Sequence, residues 1–224
     1  MSPLLLSPHL DDAVFACGEW LLDHPGTPVV TVFAGVPDAP GPPTDWDRRC
    51  GFDDAADAMA QRREEDRRAL VVLGARPCWL PFLDSQYGHT PTTTAVAEAL
   101  VTLAAEFGAD TLVLPMGLFH SDHRLLHHAA LQVLARRPAL RALAYEDVPY
   151  RAIRGLLQHR LAQLLRTGWT ATPVKRTARP VSPLKAQALR CYASQLRAFG
   201  EGGLDDVQRP ERLWRLEREA TPLP

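Results

Sequence analysis

The sequence predicts an α/β protein whose mainly parallel sheet has helices on both faces. Short apolar runs alternate with segments of helical periodicity about five times along the 224 residues. This alternation is typical of parallel strands joined by crossover helices. Hydrophobic residues make up 46% of the chain and charged residues 23%, as in a globular domain with a full core. Its length favours one domain.

The strands are predicted from apolar, β-branched runs that Pro, Gly or polar loops bound. They are Leu4–Leu6, Pro28–Gly35, Arg76–Leu83, Asp110–Pro115, Leu140–Ala144 and Trp169–Val174. The last strand is expected at an edge of the sheet, because Pro173 has no N–H to donate to a ladder.

The helices are predicted from apolar residues at three-to-four spacing and from capping residues. They are Ala13–Leu22, Asp53–Leu73, Thr92–Phe107, Arg124–Leu134, Tyr150–Arg166, Pro183–Phe199 and about Glu211–Glu219. Ser182 is expected to cap the helix that begins with Pro183. Residues 38–52 are expected as loop, and residues 1–224 as one domain in which 180–224 form a C-terminal helical extension.

Composition argues against several classes of function. The net charge of -1 favours neither nucleic acid nor an anionic membrane as a partner. No apolar run approaches the roughly 18 residues that a membrane span needs. The four cysteines form no CxxC pair, and no signal-peptide pattern precedes the first strand, so we expect a cytoplasmic protein with reduced thiols. No glycine-rich phosphate loop is recognisable, and the oligomeric state is left open.

Two polar loops follow predicted buried strands. The first loop contributes His9, Asp11 and Asp12, and the second contributes His120, Ser121, Asp122 and His123. Carboxyl ends of parallel strands share one sheet edge, so these side chains are expected to meet. One Asp and two His would supply the three protein ligands of a hydrolytic zinc site. A spare carboxylate and a spare His would remain for acid–base chemistry.

Each loop also has a plainer interpretation. Asp12 could serve only as a helix cap, and the two histidines of the second loop could simply be solvated. The occurrence of both loops at matching strand ends favours metal-assisted hydrolysis.

The two motifs identify a resemblance. The strings SPHLDD, from Ser7 to Asp12, and HSDH, from His120 to His123, resemble the signature motifs of the PIG-L/LmbE family of zinc-dependent N-deacetylases. The string RREE from Arg62 to Glu65 resembles the family's Arg-rich helix, and Asp84 lies where the family has a substrate-facing Asp. The resemblance covers about residues 4–144 and implies a Rossmann-like, LmbE-like α/β fold.

The resemblance also implies roles for individual residues. It makes His9, Asp12 and His123 the zinc ligands. Asp11 would be the general base that activates the attacking water. His120 would be the protonated group that stabilises the oxyanion or protonates the leaving amine, and Asp122 would orient His120 and keep it charged. The substrate's hydroxyl groups would be held by Arg62 or Arg63 together with Asp84.

The sequence departs from the family pattern at three positions. Leu10 and Ser121 stand where Pro is usual, and Ala13 stands where Glu is usual. None of these changes removes a ligand or the base, so the reaction type is unaffected.

Two further segments are expected near the site. Glu146, Asp147 and Tyr150 follow a strand at the same sheet edge and are candidates for substrate contact, the alternative being a plain turn held by Pro149. Trp46 and Asp47 lie in the Pro-rich loop and are candidates for a lid.

These expectations combine into one functional hypothesis. The chain is expected to remove an acetyl or other short acyl group from the amine of a small molecule. By resemblance, the favoured substrate is an N-acetylated amino sugar or its glycoside. An amidase acting on a non-sugar N-acyl compound and a non-catalytic metal-binding module are the alternatives. Zinc is the expected metal, although the ligand set also suits Fe²⁺, Mn²⁺ or Co²⁺.

Overall fold

A computed structural model describes residues 2–38, 41–175, 180–200, 202 and 205–218. The described strands are β1 (Pro3–Ser7), β2 (Pro28–Thr31), β3 (Arg76–Trp79), β4 (Thr111–Pro115), β5 (Arg141–Tyr145), β6 (Trp169–Pro173) and β7 (Leu213–Arg218). The described helices are α1 (Asp12–Asp23), α2 (Asp45–Cys50), α3 (Ala55–Val72), α4 (Thr93–Glu106), α5 (Ser121–Arg136), α6 (Leu156–Arg166), α7 (Pro183–Arg190) and α8 (Ala193–Phe199). Short 3₁₀ turns occur at Ser85–Tyr87, Tyr150–Ala152 and Asp205–Gln208.

The described strands form one sheet in the order β3-β2-β1-β4-β5-β7-β6. The neighbours from β3 to β5 are parallel, with Leu5 opposite Val29 and Leu4 opposite Leu112. β7 runs antiparallel between β5 and β6. The predicted mainly parallel α/β fold is confirmed, and β6 lies at the edge of the sheet as expected.

Helices cover both faces of this sheet because successive apolar residues of a strand point to opposite sides. Leu4 and Leu6 pack with residues of α4 and α5 such as Leu100 and Leu126. Leu5 packs on the other face with residues of α1, α3 and α7, among them Leu70. In the described part of the chain, none of the helices is both long and apolar enough to span a bilayer.

Two connections are more helical than the sequence pattern indicated. Residues 45–50 were expected as loop, but they form α2. A capping box stabilises the start of this helix, because the side chains of Thr44 and Asp47 each accept a hydrogen bond from the backbone N–H of the other residue. α5 begins at Ser121 and not at Arg124, because the His120 side chain accepts a hydrogen bond from the backbone N–H of Asp122. Asp122 and His123 therefore sit in the first turn of a helix.

Two other helices are shorter than predicted. The predicted helix Tyr150–Arg166 begins only at Leu156, after Gly155 with φ of 80°. The predicted helix Pro183–Phe199 is capped by Ser182 as expected, but it is split into α7 and α8 at Tyr192. The Tyr192 side chain is fully buried and donates a hydrogen bond to Asp66 at 2.8 Å, so tertiary packing ends the first helix there.

The predicted C-terminal helix is wrong in its described part. Residues 213–218 form β7, whereas Glu219 and the residues after it lie outside the described residues. Leu213 and Leu216 point to opposite faces of the sheet, and each enters the core on its own side. Pairing with β5 and β6 therefore overrides the helical preference of a Leu-, Arg- and Glu-rich segment.

A buried ion pair joins α7 to the C-terminal segment, which also contacts α1. Lys185 Nζ contacts Glu211 Oε1 at 2.8 Å, and both side chains are almost fully buried. The Glu211 carboxylate also accepts from the backbone N–H groups of Glu19 and Trp20, just after the non-helical residue Cys17. A Cβ on Gly18 would lie 2.9 Å from Lys185 Cδ, so the glycine makes room for the lysine.

Lys185→Met is expected to lower the free energy of unfolding by about 3–5 kcal/mol, because it removes the buried ammonium group that contacts the Glu211 carboxylate. Urea denaturation measures this loss. The matched control is Lys175→Met at an exposed position, which is expected to change stability by less than about 0.5 kcal/mol. Equal effects of the two substitutions would contradict the assigned importance of the pair.

Candidate metal centre and active-site cavity

The two polar loops meet at the carboxyl edge of the sheet because β1 and β4 are neighbours. They border a cavity of about 270 Å³. The predicted catalytic and metal-binding residues that line it are His9, Asp11, Asp12, His120 and His123.

Short-range hydrogen bonds shape the first loop. The Ser7 hydroxyl donates to the carbonyl of His9 at 2.7 Å and accepts from the backbone N–H of Ala13 at 3.0 Å. The backbone N–H of His9 donates to Asp12 Oδ2 at 2.9 Å. These bonds fold residues 7–13 tightly and place Asp11 and Asp12 at the N-terminus of α1, where negative charge is favourable.

Asp12 lies between two histidines. Its Oδ2 atom is 3.3 Å from His9 Nδ1 and 3.2 Å from His123 Nε2. Two ligands of a tetrahedral zinc ion, each bonded at about 2.0–2.1 Å, are separated by about 3.3 Å. The distance from Asp12 Oδ2 to each of the two histidine nitrogens therefore suits a pair of metal ligands.

A second carboxylate supports each of these histidines from behind. His9 Nε2 lies 3.0 Å from Asp122 Oδ2, and His123 Nδ1 lies 2.6 Å from Asp147 Oδ1. Such carboxylates fix the tautomer and the ring orientation of metal-binding histidines. They would leave Nδ1 of His9 and Nε2 of His123 free to face Asp12.

The electrostatics of the cluster favour a bound cation. Burial alone would raise the pKa of Asp12, but His123 and His9 hold it well below its usual range. Burial opposes the charged form of His123, yet Asp12 and Asp147 raise its pKa to about 9. The pKa of His9 is also raised, because Asp84, Asp12 and Asp122 outweigh burial. Metal-free, this cluster holds protons that a metal ion would displace.

Two other groups of ligand atoms overlap with this set. Atoms of His9, His120 and His123 lie within 4.8 Å of one another, as do atoms of His9, Asp84 and Asp122. Asp12 is the better third ligand, because one of its oxygens contacts both histidines. Asp84 and Asp122 instead approach His9 at Nε2, at 3.9 and 3.0 Å, which is the ring nitrogen that does not face Asp12.

Asp11 faces the cavity beside this cluster. Its side chain makes no hydrogen bond with the described residues, although the residue is only 8% exposed. Burial and the neighbouring Asp12 raise the pKa of the Asp11 carboxyl to about 8. A carboxyl group with such a pKa can accept and return a proton near neutral pH.

His120 does not have the surroundings expected for it. Its Nδ1 accepts from the backbone N–H of Asp122 at 3.3 Å, while the Asp122 carboxylate contacts His9 and the backbone N–H of Ser85. Burial and the nearby His9 and His123 lower the pKa of His120. Since Nδ1 is an acceptor, the neutral ring carries its proton on Nε2.

The Asp122 carboxylate stays ionised through these contacts. Burial alone would raise its pKa, but the hydrogen bond from His9 lowers it to about 2. Asp122 thus orients His9 in this structure, and not His120 as expected from the resemblance.

The four predicted substrate residues occupy different positions. Arg62 lines the cavity and pairs with Asp47 at 2.8 Å, and Asp84 lines it between His9 and Gln86. Arg63 donates to the carbonyl of Ala34 at 2.7 Å and is not among the residues that line the cavity. Asp147 is 1% exposed and lies behind His123, which does not fit the substrate contact predicted for it.

Of the remaining candidates, Trp46 and Tyr150 line the cavity. Glu146 instead accepts from Trp214 Nε1 at 3.0 Å, and Asp47 is fully buried. The sequence did not indicate that Gln86, Gln195 and Phe199 would also line the cavity. Gln195 and Phe199 belong to α8, more than 60 residues after the second motif, and carry no local sign of a site.

Residues 4–134 match the family model described as PIG-L: GlcNAc-PI de-N-acetylase. Two relatives are each a 2'-N-acetylparomamine deacetylase. The Streptomyces fradiae protein is 32% identical over 170 residues, which cover 66% of this chain and 57% of that protein. The chain thus spans less than two thirds of that relative's length. The Niallia circulans protein is 26% identical over 278 residues, covering 99% of this chain and 96% of that protein.

Solved structures of teicoplanin deacetylases have the same fold. A deacetylase-bog complex in the biosynthesis pathway of teicoplanin has a TM-score of 0.79 at 25% identity and covers 97% of this chain and 98% of that chain. The zinc-inhibited form of teicoplanin deacetylase has a TM-score of 0.80 at 24% identity, with the same coverage of both chains.

Asp147→Asn is expected to weaken zinc binding by about 10–100-fold, because His123 loses the carboxylate that orients it. Calorimetric titration of the chelator-treated protein with zinc measures the affinity. Asp57→Asn on the exposed face of α3 is the matched control and is expected to bind zinc like the wild type. Unchanged affinity of Asp147→Asn would contradict the supporting role of this carboxylate.

The metal-free protein is expected to lose thermal stability as the pH rises from about 7 to 9. Below this range the lowered pKa values of His120, His127 and His128 act in the opposite direction. The raised pKa values of His9 and His123 stabilise the fold below the unfolded pKa near 6.5, and this contribution disappears as the pH rises through their folded values. The Asp11 carboxyl, with a pKa of about 8, acts in the same direction because ionisation is unfavourable in the fold.

Tm measurements across this range, with chelator or with zinc, test the expectation. Zinc should raise Tm more at pH 8.5 than at pH 7, because it then competes less with protons. A Tm of the chelated protein that is constant from pH 7 to 9 would contradict the assigned protonation of the cluster.

Proposed function

The chain belongs to the PIG-L family, and we propose that it is a metal-dependent hydrolase. It removes an acetyl group from the amine of a small molecule. The favoured substrate is an N-acetylated amino sugar or its glycoside. Support for the sugar comes from the two curated relatives, whose names specify deacetylation of 2'-N-acetylparomamine.

The observation that carries this proposal is the position of Asp11 beside the His9, Asp12 and His123 cluster in one cavity. A free carboxylate next to a three-ligand metal site is the arrangement needed for metal-assisted hydrolysis. Zinc is the proposed metal, because two imidazoles and one carboxylate are common zinc ligands. Fe²⁺, Mn²⁺ or Co²⁺ would also accept this set.

A divalent metal held by His9, Asp12 and His123 would acidify a water molecule and polarise the amide carbonyl. Asp11 accepts the proton of the attacking water as the new carbon–oxygen bond forms. Its raised pKa then allows the protonated carboxyl to pass that proton to the leaving nitrogen as the carbon–nitrogen bond breaks. The products are a carboxylic acid and a free amine.

His120 acts on the carbonyl side. In the neutral form favoured by its lowered pKa, the ring carries a proton on Nε2, because Nδ1 accepts from the backbone of Asp122. We assign it to donate this N–H to the carbonyl oxygen as negative charge develops there. A donor positioned before the reaction stabilises such charge strongly. Asp122 and Asp147 contribute by orienting His9 and His123.

Substrate hydroxyl groups are proposed to contact Asp84 and Arg62, which line the same cavity. The Arg62 guanidinium is 3% exposed, and its Nε atom has no hydrogen-bond partner among the described residues. A buried donor of this kind is unfavourable unless a ligand or water satisfies it. Arg63 has no such role in this proposal.

The protein is further proposed to be cytoplasmic. The support is chemical: none of the four cysteines forms a disulfide with a described residue, as is usual in a reducing compartment.

Asp11→Asn is expected to retain zinc and to lower kcat by about 10²–10⁴-fold, because the amide cannot act as a base. Amine release from N-acetylglucosamine and N,N'-diacetylchitobiose, detected with fluorescamine, measures kcat, and metal analysis measures zinc. The exposed Asp53→Asn is the matched control and should keep the wild-type rate. A near wild-type rate for Asp11→Asn would refute its assignment as the base.

The same assay separates the proposed function from its alternatives. We add N-cyclohexylacetamide, an amide of similar ring size without hydroxyl groups. Amine release from this compound alone would identify a non-sugar amidase. A zinc-loaded protein that releases amine from none of the three compounds would contradict the proposed deacetylation of amino sugars and favour a metal-binding module.

A further inference from the structure

One side of the cavity is built by two short helices, α2 and α8. Trp46 of α2 and Gln195 and Phe199 of α8 line the cavity. The Trp46 and Phe199 rings meet edge to face, with centroids 5.1 Å apart. α8 lies beyond residues 4–134, which match the family model. The family match therefore does not include the part of the wall that α8 contributes.

Hydrogen bonds hold this wall of α2 and α8 in place. The Glu65 carboxylate of α3 accepts from both the backbone N–H and the hydroxyl of Ser194, at 3.0 and 2.6 Å. Arg49 of α2 donates to the carbonyl of Ala198, and Arg197 of α8 donates to the carbonyl of Cys50, each at 3.0 Å. These bonds join α2 and α8 to each other and anchor α8 on α3.

The orientation of the Gln195 amide follows from its neighbours. Trp46 Nε1 donates to Gln195 Oε1 at 3.0 Å, and the Cys50 thiol approaches the same oxygen at 3.9 Å. An indole N–H can only donate, so the oxygen of the amide must face Trp46. The amide nitrogen is thereby turned away from Trp46, and none of the described residues accepts a hydrogen bond from it.

Gln195 is 5% exposed and lines the cavity. Because Gln195 lines the cavity, this amide N–H₂ is available to donate to a ligand there. We propose that Gln195, oriented by Trp46, donates a hydrogen bond to a hydroxyl or ring oxygen of the substrate and so selects sugars over apolar amides. This inference rests on the proposed deacetylase function and names a specificity-determining residue for it.

The chemistry of the wall fits a sugar ring. The rings of Trp46 and Phe199 offer apolar surface at the cavity, as does the C–H face of a pyranose. The single amide donor among them would fix the orientation of that ring. A site built to hydrogen-bond a substrate oxygen discriminates against an analogue without it, because the donor would then stay unpaired.

The test uses Gln195→Glu, which keeps an oxygen for Trp46 and removes the amide donor. Gln195→Met, which removes both groups at similar volume, is the second variant. Gln187→Met on the exposed side of α7 is the matched control. For each protein, kcat/KM is measured with N-acetylglucosamine, N,N'-diacetylchitobiose and N-cyclohexylacetamide, and zinc affinity is measured by calorimetry.

Gln195→Glu and Gln195→Met are expected to lower kcat/KM for the sugars by about tenfold. Their kcat/KM for N-cyclohexylacetamide, where the wild type turns it over, and their zinc affinity should change less than about twofold. Wild-type kcat/KM for the sugars, or an equal loss for sugars and the apolar amide, would overturn the role of Gln195 and leave the deacetylase function standing. Failure of the wild type on both sugars would overturn the proposed function itself.

Discussion

The candidate site depends on the Asp12 carboxylate shared between His9 Nδ1 and His123 Nε2. Asp12 is nearly buried, and a buried carboxylate is unfavourable unless it is paired and hydrogen-bonded. The two histidines come from loops that follow adjacent parallel strands, so this pairing requires β1 and β4 to be neighbours. The candidate metal site thus depends on a contact that only this order of strands allows.

The surroundings of this contact shift the pKa values of two neighbouring carboxyl groups in opposite directions. Asp11 and Asp12 are adjacent in sequence, yet the pKa of Asp11 is raised to about 8 while that of Asp12 is lowered. Burial acts in the same sense on both, and the difference arises because His123 and His9 lie closest to Asp12. One carboxylate is suited to hold a cation, and its neighbour to exchange protons.

Much of the fold followed from local patterns, but the exceptions share a cause. Apolar runs such as residues 4–6 and 111–115 predicted the parallel strands, since burial on both faces demands such runs. β7 was missed because its pairing with β5 and β6 depends on residues about 70 and 45 positions away, respectively. The split between α7 and α8 depends on Asp66, which receives the Tyr192 hydrogen bond. No local pattern encodes such contacts.

The same limit applies to the site. The motifs predicted that residues of the two loops would meet in one cavity, because residue type and strand position suffice for that. They could not show that Asp122 supports His9 or that Asp147 lies behind His123, since these depend on side-chain geometry. Gln195 has no sequence signature at all, because its role depends on Trp46, almost 150 residues earlier.

The central claim is that one metal ion held by this cluster is required for amide hydrolysis. The most direct measurement follows amine release from N-acetylglucosamine and N,N'-diacetylchitobiose as chelator-treated protein is titrated with Zn²⁺, Fe²⁺, Mn²⁺ or Co²⁺. The account predicts no activity without metal and a linear recovery that ends at one ion per chain. Full activity in the metal-free protein would contradict this claim. Metal-dependent recovery of wild-type activity in an Asp12→Ala variant would also contradict it.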